Sequence, residues 1–569
     1  MLSPTRNPGR FSRKDYLIFL LILVCCAAAF GIIPPQGLSS NDEGARYIQM
    51  RNFTLYGTLP IQYPGLALGL QSDDVAKQHE VFFEREGKLY SGSPPLFSYL
   101  SGLFYPVFGE RAVTFLPLLA LFVSVLILGA TLRLLVHAGL LYYVLLFGFL
   151  LASPVYTYAI RFAEHVPAAC LALCSLYFLV RYFRVKPALS GLCLSVSLLS
   201  AGMFFRPEVV LLTMPYAGYL GLTLVAQRQV RQAGAVLACA LAPVVLYALV
   251  NRTLYGGTLL VHLFNIALGF HFSARQAALA LGTLLLAAMI AYLAKKSSAE
   301  VALKRQLYTF VPVLFIPFVV LVSAFSPAPV LFLAFPLVLL IFFALPERVE
   351  KLLSEPMSLG NVLFVTIGGF LFLVSWPFAN NAAGGIGYCL PAIPFIIVLV
   401  AQEGKRLSSA KPIVALAVLL LVFSACYQAY TVKTTIWNYK QYNAERIRFL
   451  HTATEPGAVI ICDKQARLEH GGPLFFDRVF MVAENGPQFA HLIDLLNEKQ
   501  IKHAYLWAGF TCLPTGTSYS ASKPAVFSDS RGPKNYLYTL TLKQGDGGER
   551  TKPCGSCGDR GTCGKVAKR

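Results

Sequence analysis

Over the first 430 or so residues, apolar runs alternate with short polar segments, and many of the runs reach the length of about 20 residues that a helix needs to cross a bilayer. The pattern predicts thirteen spans, at 16–34, 112–136, 139–157, 166–183, 189–205, 208–227, 233–250, 276–294, 307–324, 329–346, 359–376, 386–402 and 412–430. The run 258–272 is read as a re-entrant or interfacial segment outside that count. Past Ala429 the long runs end and charge returns. Ala458 to Cys462, Val479 to Ala483, His503 to Trp507 and Tyr536 to Leu542 read as strands, and Pro487 to Gln500 as an amphipathic helix. The expected organisation is a cytoplasmic N-terminus over 1–15, a transmembrane domain over 16–432, a small α/β domain over 440–545 and a basic tail rich in cysteine and glycine over 546–569.

Composition agrees with the pattern: 56% of the 569 residues are hydrophobic, 13% are charged and the mean hydropathy is +0.60, which excludes an ordinary soluble enzyme. The net charge of +20 would suit nucleic acid if it lay on one polar face. Instead the basic residues fall in alternate loops. Arg6, Arg10, Arg13 and Lys14 precede the first span, and Arg181/Arg184/Lys186, Arg228/Arg231, Lys295/Lys296/Lys304/Arg305, Arg348/Lys351 and Lys405/Arg406/Lys411 follow at every second turn. That bias places the N-terminus in the cytoplasm, and an odd number of crossings places the C-terminal domain outside. The first run follows basic residues as a signal peptide would, but Phe30-Gly31-Ile32-Ile33-Pro34-Pro35 offers no small-x-small cleavage site, so it is read as a retained helix.

Candidate chemistry lies on the outer side. Loop 35–111 is too long for a simple connector. It holds Asn41-Asp42-Glu43-Gly44-Ala45-Arg46-Tyr47, which reads as a helix start with Ser40 or Asn41 as N-cap and two acids in the first turn. Capping and dipole complementarity explain such a cluster on their own. In a chain with so few charges, acids at the membrane interface four residues from an arginine also point to a site. The short loop Arg161-Phe162-Ala163-Glu164-His165 adds a carboxylate beside an imidazole, a pair that suits a divalent metal or a phosphate; an Arg161–Glu164 salt bridge is the structural alternative. Arg206, Glu208, Asn251, Arg252, His262, His271 and Arg275 stand at the outer ends of predicted spans and together would form a cationic bowl for a phosphate headgroup, or would snorkel singly to the interface.

Two segments rich in helix breakers complete this face: Tyr90 to Tyr99 with Pro94-Pro95-Leu96, and Asn380 to Pro394 with Gly384-Gly385-Ile386-Gly387-Tyr388. Irregular backbone at membrane depth lines a protein cavity rather than lipid. With the acids in the first outer loop and Glu164 in the next, these segments make the chain resemble the GT-C superfamily of polyprenyl-phosphate-sugar-dependent glycosyltransferases, most nearly its protein mannosyltransferase-like and lipid A aminoarabinose transferase-like bacterial branch. The resemblance covers roughly residues 15–510. Where many relatives carry a lysine before the Pro-Pro pair this chain has Ser93, and where many carry an arginine before the tyrosine it has Gly387-Tyr388.

The resemblance implies a polytopic α-helical membrane enzyme of GT-C type with a small extracytoplasmic α/β domain, sited in a bacterial inner membrane with the C-terminal domain in the periplasm. It implies a single displacement that inverts the anomeric carbon, with a polyprenyl-phosphate sugar as donor, a glycolipid, polysaccharide or protein as acceptor, and membrane lipid but no nucleic acid as partner. Asp42 is the expected general base, with Glu43 as alternative base or orienting partner. Arg46, Lys88, Arg161, Arg206, Arg252 and Tyr388 are the candidates for the donor phosphate, and Glu164 and His165 for orienting the acceptor or holding a divalent metal. No organic cofactor is expected. Cys554, Cys557 and Cys563 are too few for a four-ligand zinc site, so a disulfide is the better expectation in an oxidising compartment. A transporter or flippase for a lipid-linked sugar is the alternative, though no internal repeat and few mid-span charges accompany it.

Overall fold

The computed structural model describes residues 11–70, 82–85, 87–136, 139–255, 355, 357–375, 387, 389–407, 411–509 and 518–543. The expected spans at 276–294, 307–324 and 329–346, the segment 258–272, Tyr388 and the cysteine cluster of the tail lie outside the described residues.

Helix α1 (Arg13–Ile32) runs antiparallel to α4 (Ala112–Leu135). Arg111 at the start of α4 donates to the Gly31 carbonyl at 2.7 Å, and Arg133 near its other end pairs with Asp15. Asp15 also closes a capping box with Ser12, so the first turn of α1 is satisfied twice over. Between α1 and α4 the chain forms α2 (Asn41–Tyr56), the hairpin β1 (Phe82–Arg85) and β2 (Lys88–Ser91), and α3 (Pro95–Phe108). The long outer loop of the sequence reading is therefore largely folded.

The bundle continues through α5 (Leu140–Leu151), the short α6 (Val155–Ala159), α7 (His165–Arg184), α8 (Leu189–Ala201), α9 (Val210–Ala226) and α10 (Val230–Tyr255). After the undescribed stretch come α11 (Leu359–Ser375), α12 (Ile393–Leu407) and α13 (Lys411–Thr431). Among the described residues, five helices are long and apolar enough to cross a membrane: Arg13–Ile32, Pro95–Leu135, His165–Arg184, Pro207–Ala226 and Val230–Leu254.

The single span expected at 139–157 is broken. Pro154 has no amide hydrogen to extend α5, and the Ser153 hydroxyl bonds back to the Phe149 carbonyl to close it. The broken end is pinned to α13 by Ser424 on the Ala152 carbonyl (2.7 Å) and by Thr157 on Gln428 (2.9 Å). Likewise the span expected at 386–402 begins with a 3₁₀ turn, Leu390–Ala392, before α12.

Helix α13 passes through a π-helical turn (Val432–Trp437) directly into α14 (Asn438–Ala453), with helical backbone at both joints. The domain beyond is a mixed sheet in the order β4-β3-β5-β8-β6, formed by β3 (Val459–Cys462), β4 (Val479–Val482), β5 (His503–Ala508), β6 (Tyr519–Ala521) and β8 (Asn535–Leu542), with β7 (Ala525–Phe527) also on β8. Strands β4 and β5 flank β3 in parallel, and β8 pairs antiparallel to β5, β6 and β7. Strand β3 is buried at all four positions, as its unbroken apolar run requires of a central parallel strand. Helices α15 (Gln465–His470) and α16 (Gly486–Glu498) supply the crossovers. The strands and the helix read from the sequence lie where the pattern put them; β6 and β7, three residues each, are too short to have stood out.

The core of this domain is shared with the first outer segment: Ala45 and Ile48 of α2, Ile61, Tyr63, Leu70, Phe82 and Leu89 pack into it. Tyr63 adds a hydrogen bond to the Phe480 carbonyl of β4 at 3.0 Å. The other side of α2 packs on the bundle through Tyr47 and Met50, against Leu38, Phe97, Val113 and Phe162. Helix α2 is thus held between bundle and domain by two separate apolar faces.

Candidate active site

That position of α2 explains where its charges go. Ser40 is the N-cap and accepts from the Glu43 amide, and Gly57 ends the helix in the left-handed conformation (φ 66°). Glu43, in the first turn, folds back on the cap: its carboxylate accepts from the Ser39 amide at 3.0 Å and from the Ser39 hydroxyl. The same carboxylate takes Arg161 Nε at 2.7 Å and stands 3.6 Å from Lys440 Nζ of α14. Burial alone would raise its pKa, but Lys440, Arg161 and the Ser39 bonds prevail and hold it down at about 2. Burial draws the Lys440 amine below the ordinary lysine value, against the pull of Glu43.

A second set of ion pairs lies alongside. Glu164, at the start of α7, accepts from Arg46 and from Arg206, each at 2.8 Å, and its second oxygen stands 2.6 Å from Arg46 Nε as an ion pair. Arg206 reaches on to Glu208 at 2.9 Å, and Arg46 to the Phe162 carbonyl at 3.4 Å. The salt bridge considered between Arg161 and Glu164 does not form, because Arg161 turns to Glu43 and Glu164 is taken by the two other arginines. Asp42 differs from both acids: its side chain is 65% exposed, and its ion pair is Arg46 at 3.8 Å.

His165 is buried under Tyr158, ring centroids 4.4 Å apart. It also abuts the glycine-rich stretch: a Cβ on Gly387 would lie 2.4 Å from His165 Nε2, so only glycine fits there. The imidazole therefore faces Tyr158 and Gly387 rather than the Glu164 carboxylate whose oxygens the guanidiniums occupy. Among the described residues, no three His, Cys, Asp or Glu side chains gather as a metal site would require. The Glu164 oxygens are held by Arg46 and Arg206, and no third ligand joins Glu164 and His165 among the described residues.

Of the sequence candidates, Asp42, Glu43, Arg46, Arg161, Glu164, His165 and Arg206 converge at one end of the bundle. Lys88, on the exposed end of the β1–β2 hairpin, and Arg252, exposed near the end of α10, form no ion pair with the cluster. Lys440, Ser39 and Tyr158 were missed. Their links to the motif join distant parts of the chain or side chains of ordinary type, and carry no spacing that a local pattern reveals.

An apolar helical bundle with an α/β domain seated beside it is an architecture that solved structures share. The chain is similar to ArnT from Cupriavidus metallidurans bound to undecaprenyl phosphate, with a TM-score of 0.53 and 11% identity over 93% of this chain and 98% of that one. The apo state of the same protein aligns with a TM-score of 0.52 and 13% identity over the same shares. Identities this low establish the fold. No family model matches the chain, and no curated protein matches it in sequence.

Proposed function

We propose that the chain is an inverting glycosyltransferase that moves a sugar from a polyprenyl-phosphate donor to a glycolipid, polysaccharide or protein acceptor on the outer face of the membrane. The observation that carries this reading is the division of labour among the acids: Glu43 and Glu164 are buried and ion-paired, whereas Asp42 at the edge of the same cluster is open to an incoming hydroxyl. In the proposed step the acceptor oxygen attacks the anomeric carbon, the bond from that carbon to the phosphate oxygen breaks, and the acceptor proton passes to Asp42. The electron pair leaves on the polyprenyl phosphate, where arginine stabilises the developing charge.

Arg161 suits that role because only its Nε is committed to Glu43, leaving its two terminal amino groups for a phosphate. Arg46 and Arg206 shape the cluster from the other side, with Glu164 as the anchor that orients both. The similar ArnT structure is bound to undecaprenyl phosphate, which supports a polyprenyl-phosphate donor here.

Mass spectrometry of glycolipids, surface polysaccharide and glycoproteins tests the reading, comparing cells that express the wild type and Asp42→Asn at equal membrane levels. Loss of one sugar increment in the variant supports the transferase and names sugar and acceptor. An unchanged profile leaves Asp42 as a first-turn acid that complements the dipole of α2 and moves the transporter reading ahead.

A further inference from the structure

Lys440 does not belong to any span, motif or outer loop of the bundle. It comes from α14, and its side chain is 1% exposed beside a carboxylate that already has a guanidinium partner. Burying an ammonium is costly unless the site uses its charge. Two approaches bring it there: a Cβ on Gly37 would lie 2.0 Å from the Lys440 carbonyl oxygen, and Asn443, one turn further along, donates to the Leu38 carbonyl. The segment before α2 and helix α14 therefore touch backbone to backbone, which fixes the lysine against Glu43.

A carboxylate with one guanidinium partner prefers the two-pronged pairing, in which both terminal donors of the arginine turn onto its oxygens. Here the second oxygen of Glu43 accepts from the Ser39 amide at 3.0 Å and stands 3.6 Å from Lys440 Nζ, and Arg161 pairs through Nε with its side chain 22% exposed. We infer that Lys440 is a positioning residue for the donor phosphate: with the Ser39 amide it holds the second oxygen of Glu43, its charge keeping that oxygen from Arg161, so that the terminal amino groups of Arg161 stay directed into the site. This inference rests on the glycosyltransferase reading and on its assignment of Arg161.

The test uses the full-length protein in detergent and undecaprenyl phosphate as the probe, with binding to wild type, Lys440→Met and Lys440→Arg followed by native mass spectrometry. Losing one charge-assisted contact weakens affinity by roughly tenfold, so Lys440→Met is expected to raise Kd by about that factor while filling to the same stoichiometry. Lys440→Arg restores the cation and is expected to stay within about twofold of wild type. A purely structural lysine gives the opposite split, a smaller fraction of competent protein with unchanged Kd in what remains, and that result would overturn the inference. Failure of the wild type to bind undecaprenyl phosphate would instead sink the donor assignment on which the inference rests. Should Lys440→Met fail to fold, Lys440→Gln keeps a hydrogen-bonding end on a side chain one bond shorter while removing the charge, and is read in the same way.

Discussion

Gly44 and Glu469 meet backbone to backbone: a Cβ on Gly44 would stand 2.1 Å from the Glu469 carbonyl oxygen. The glycine of the acidic motif is thus a packing requirement, because α15 of the C-terminal domain rests on α2 at that point. Overpacking of this kind costs about 1–3 kcal/mol. Gly44→Ala should lower the unfolding temperature of the solubilised protein, whereas Gly31→Ala, which meets nothing within 4 Å, should leave it in place. Equal unfolding temperatures for the two variants would contradict the contact.

Asp42→Asn should separate turnover from stability. Its ion pair with Arg46 is long, at 3.8 Å, and open to solvent on the Asp42 side, close to the exposed class worth roughly 0.2–1 kcal/mol, so unfolding should barely change. Removing a general base lowers the rate by about 10²–10⁴-fold. Sugar transfer in membranes and thermal unfolding of the same preparation read the two effects; a variant that is inactive only because it is unfolded contradicts the assignment.

Glu43 makes the fold sensitive to acid. Its pKa falls from the ordinary 4.5 to about 2 on folding, so its contribution is complete above about pH 4.5 and is lost as pH falls toward 2. A shift of that size corresponds to about 3 kcal/mol. Unfolding measured from pH 6 down to pH 3 should show a decline in the wild type that is shallower in Glu43→Gln, with the variant less stable at pH 6 because Arg161 and Lys440 lose their acid. Parallel curves would show that Glu43 titrates alike in both states.

Glu164→Gln leaves Arg46 and Arg206 without their shared carboxylate. Breaking a buried pair by removing one partner costs about 3–5 kcal/mol. By contrast Lys88→Gln and Arg252→Gln, which touch no ion pair of the cluster, should stay within about 0.5 kcal/mol of wild type. Denaturation of the three variants side by side gives the comparison, and a Glu164→Gln protein as stable as Lys88→Gln would show that the pairs are not formed.

Much of this arrangement can be read along the chain. The apolar runs place α1, α4, α7 to α11 and α13, though α3 lies in what reads as outer loop; Ser40 and the two acids announce the start of α2, and the buried strands of the last domain stand out as short apolar runs. The division between Asp42 and Glu43 does not, since adjacent residues point about 100° apart on a helix and only the packing of α2 decides which one is enclosed. The break after α5 carried its own signal in Pro154, which a count of apolar residues passes over. The partners of the acids are beyond local pattern altogether: Glu164 meets Arg46 and Arg206, and Glu43 meets Lys440, only after distant segments fold together.

The uninterrupted helix from Lys411 through the π-helical turn to Ala453 has a consequence for how this chain can vary in length. Each residue inserted or deleted between Val432 and Trp437 would rotate everything beyond it by about 100° and shift it by about 1.5 Å. A single such change swings Lys440 away from Glu43 and α15 off Gly44 together. The junction therefore tolerates changes of residue type far better than changes of residue number, and it meters the domain onto the bundle as a ruler does, by counting.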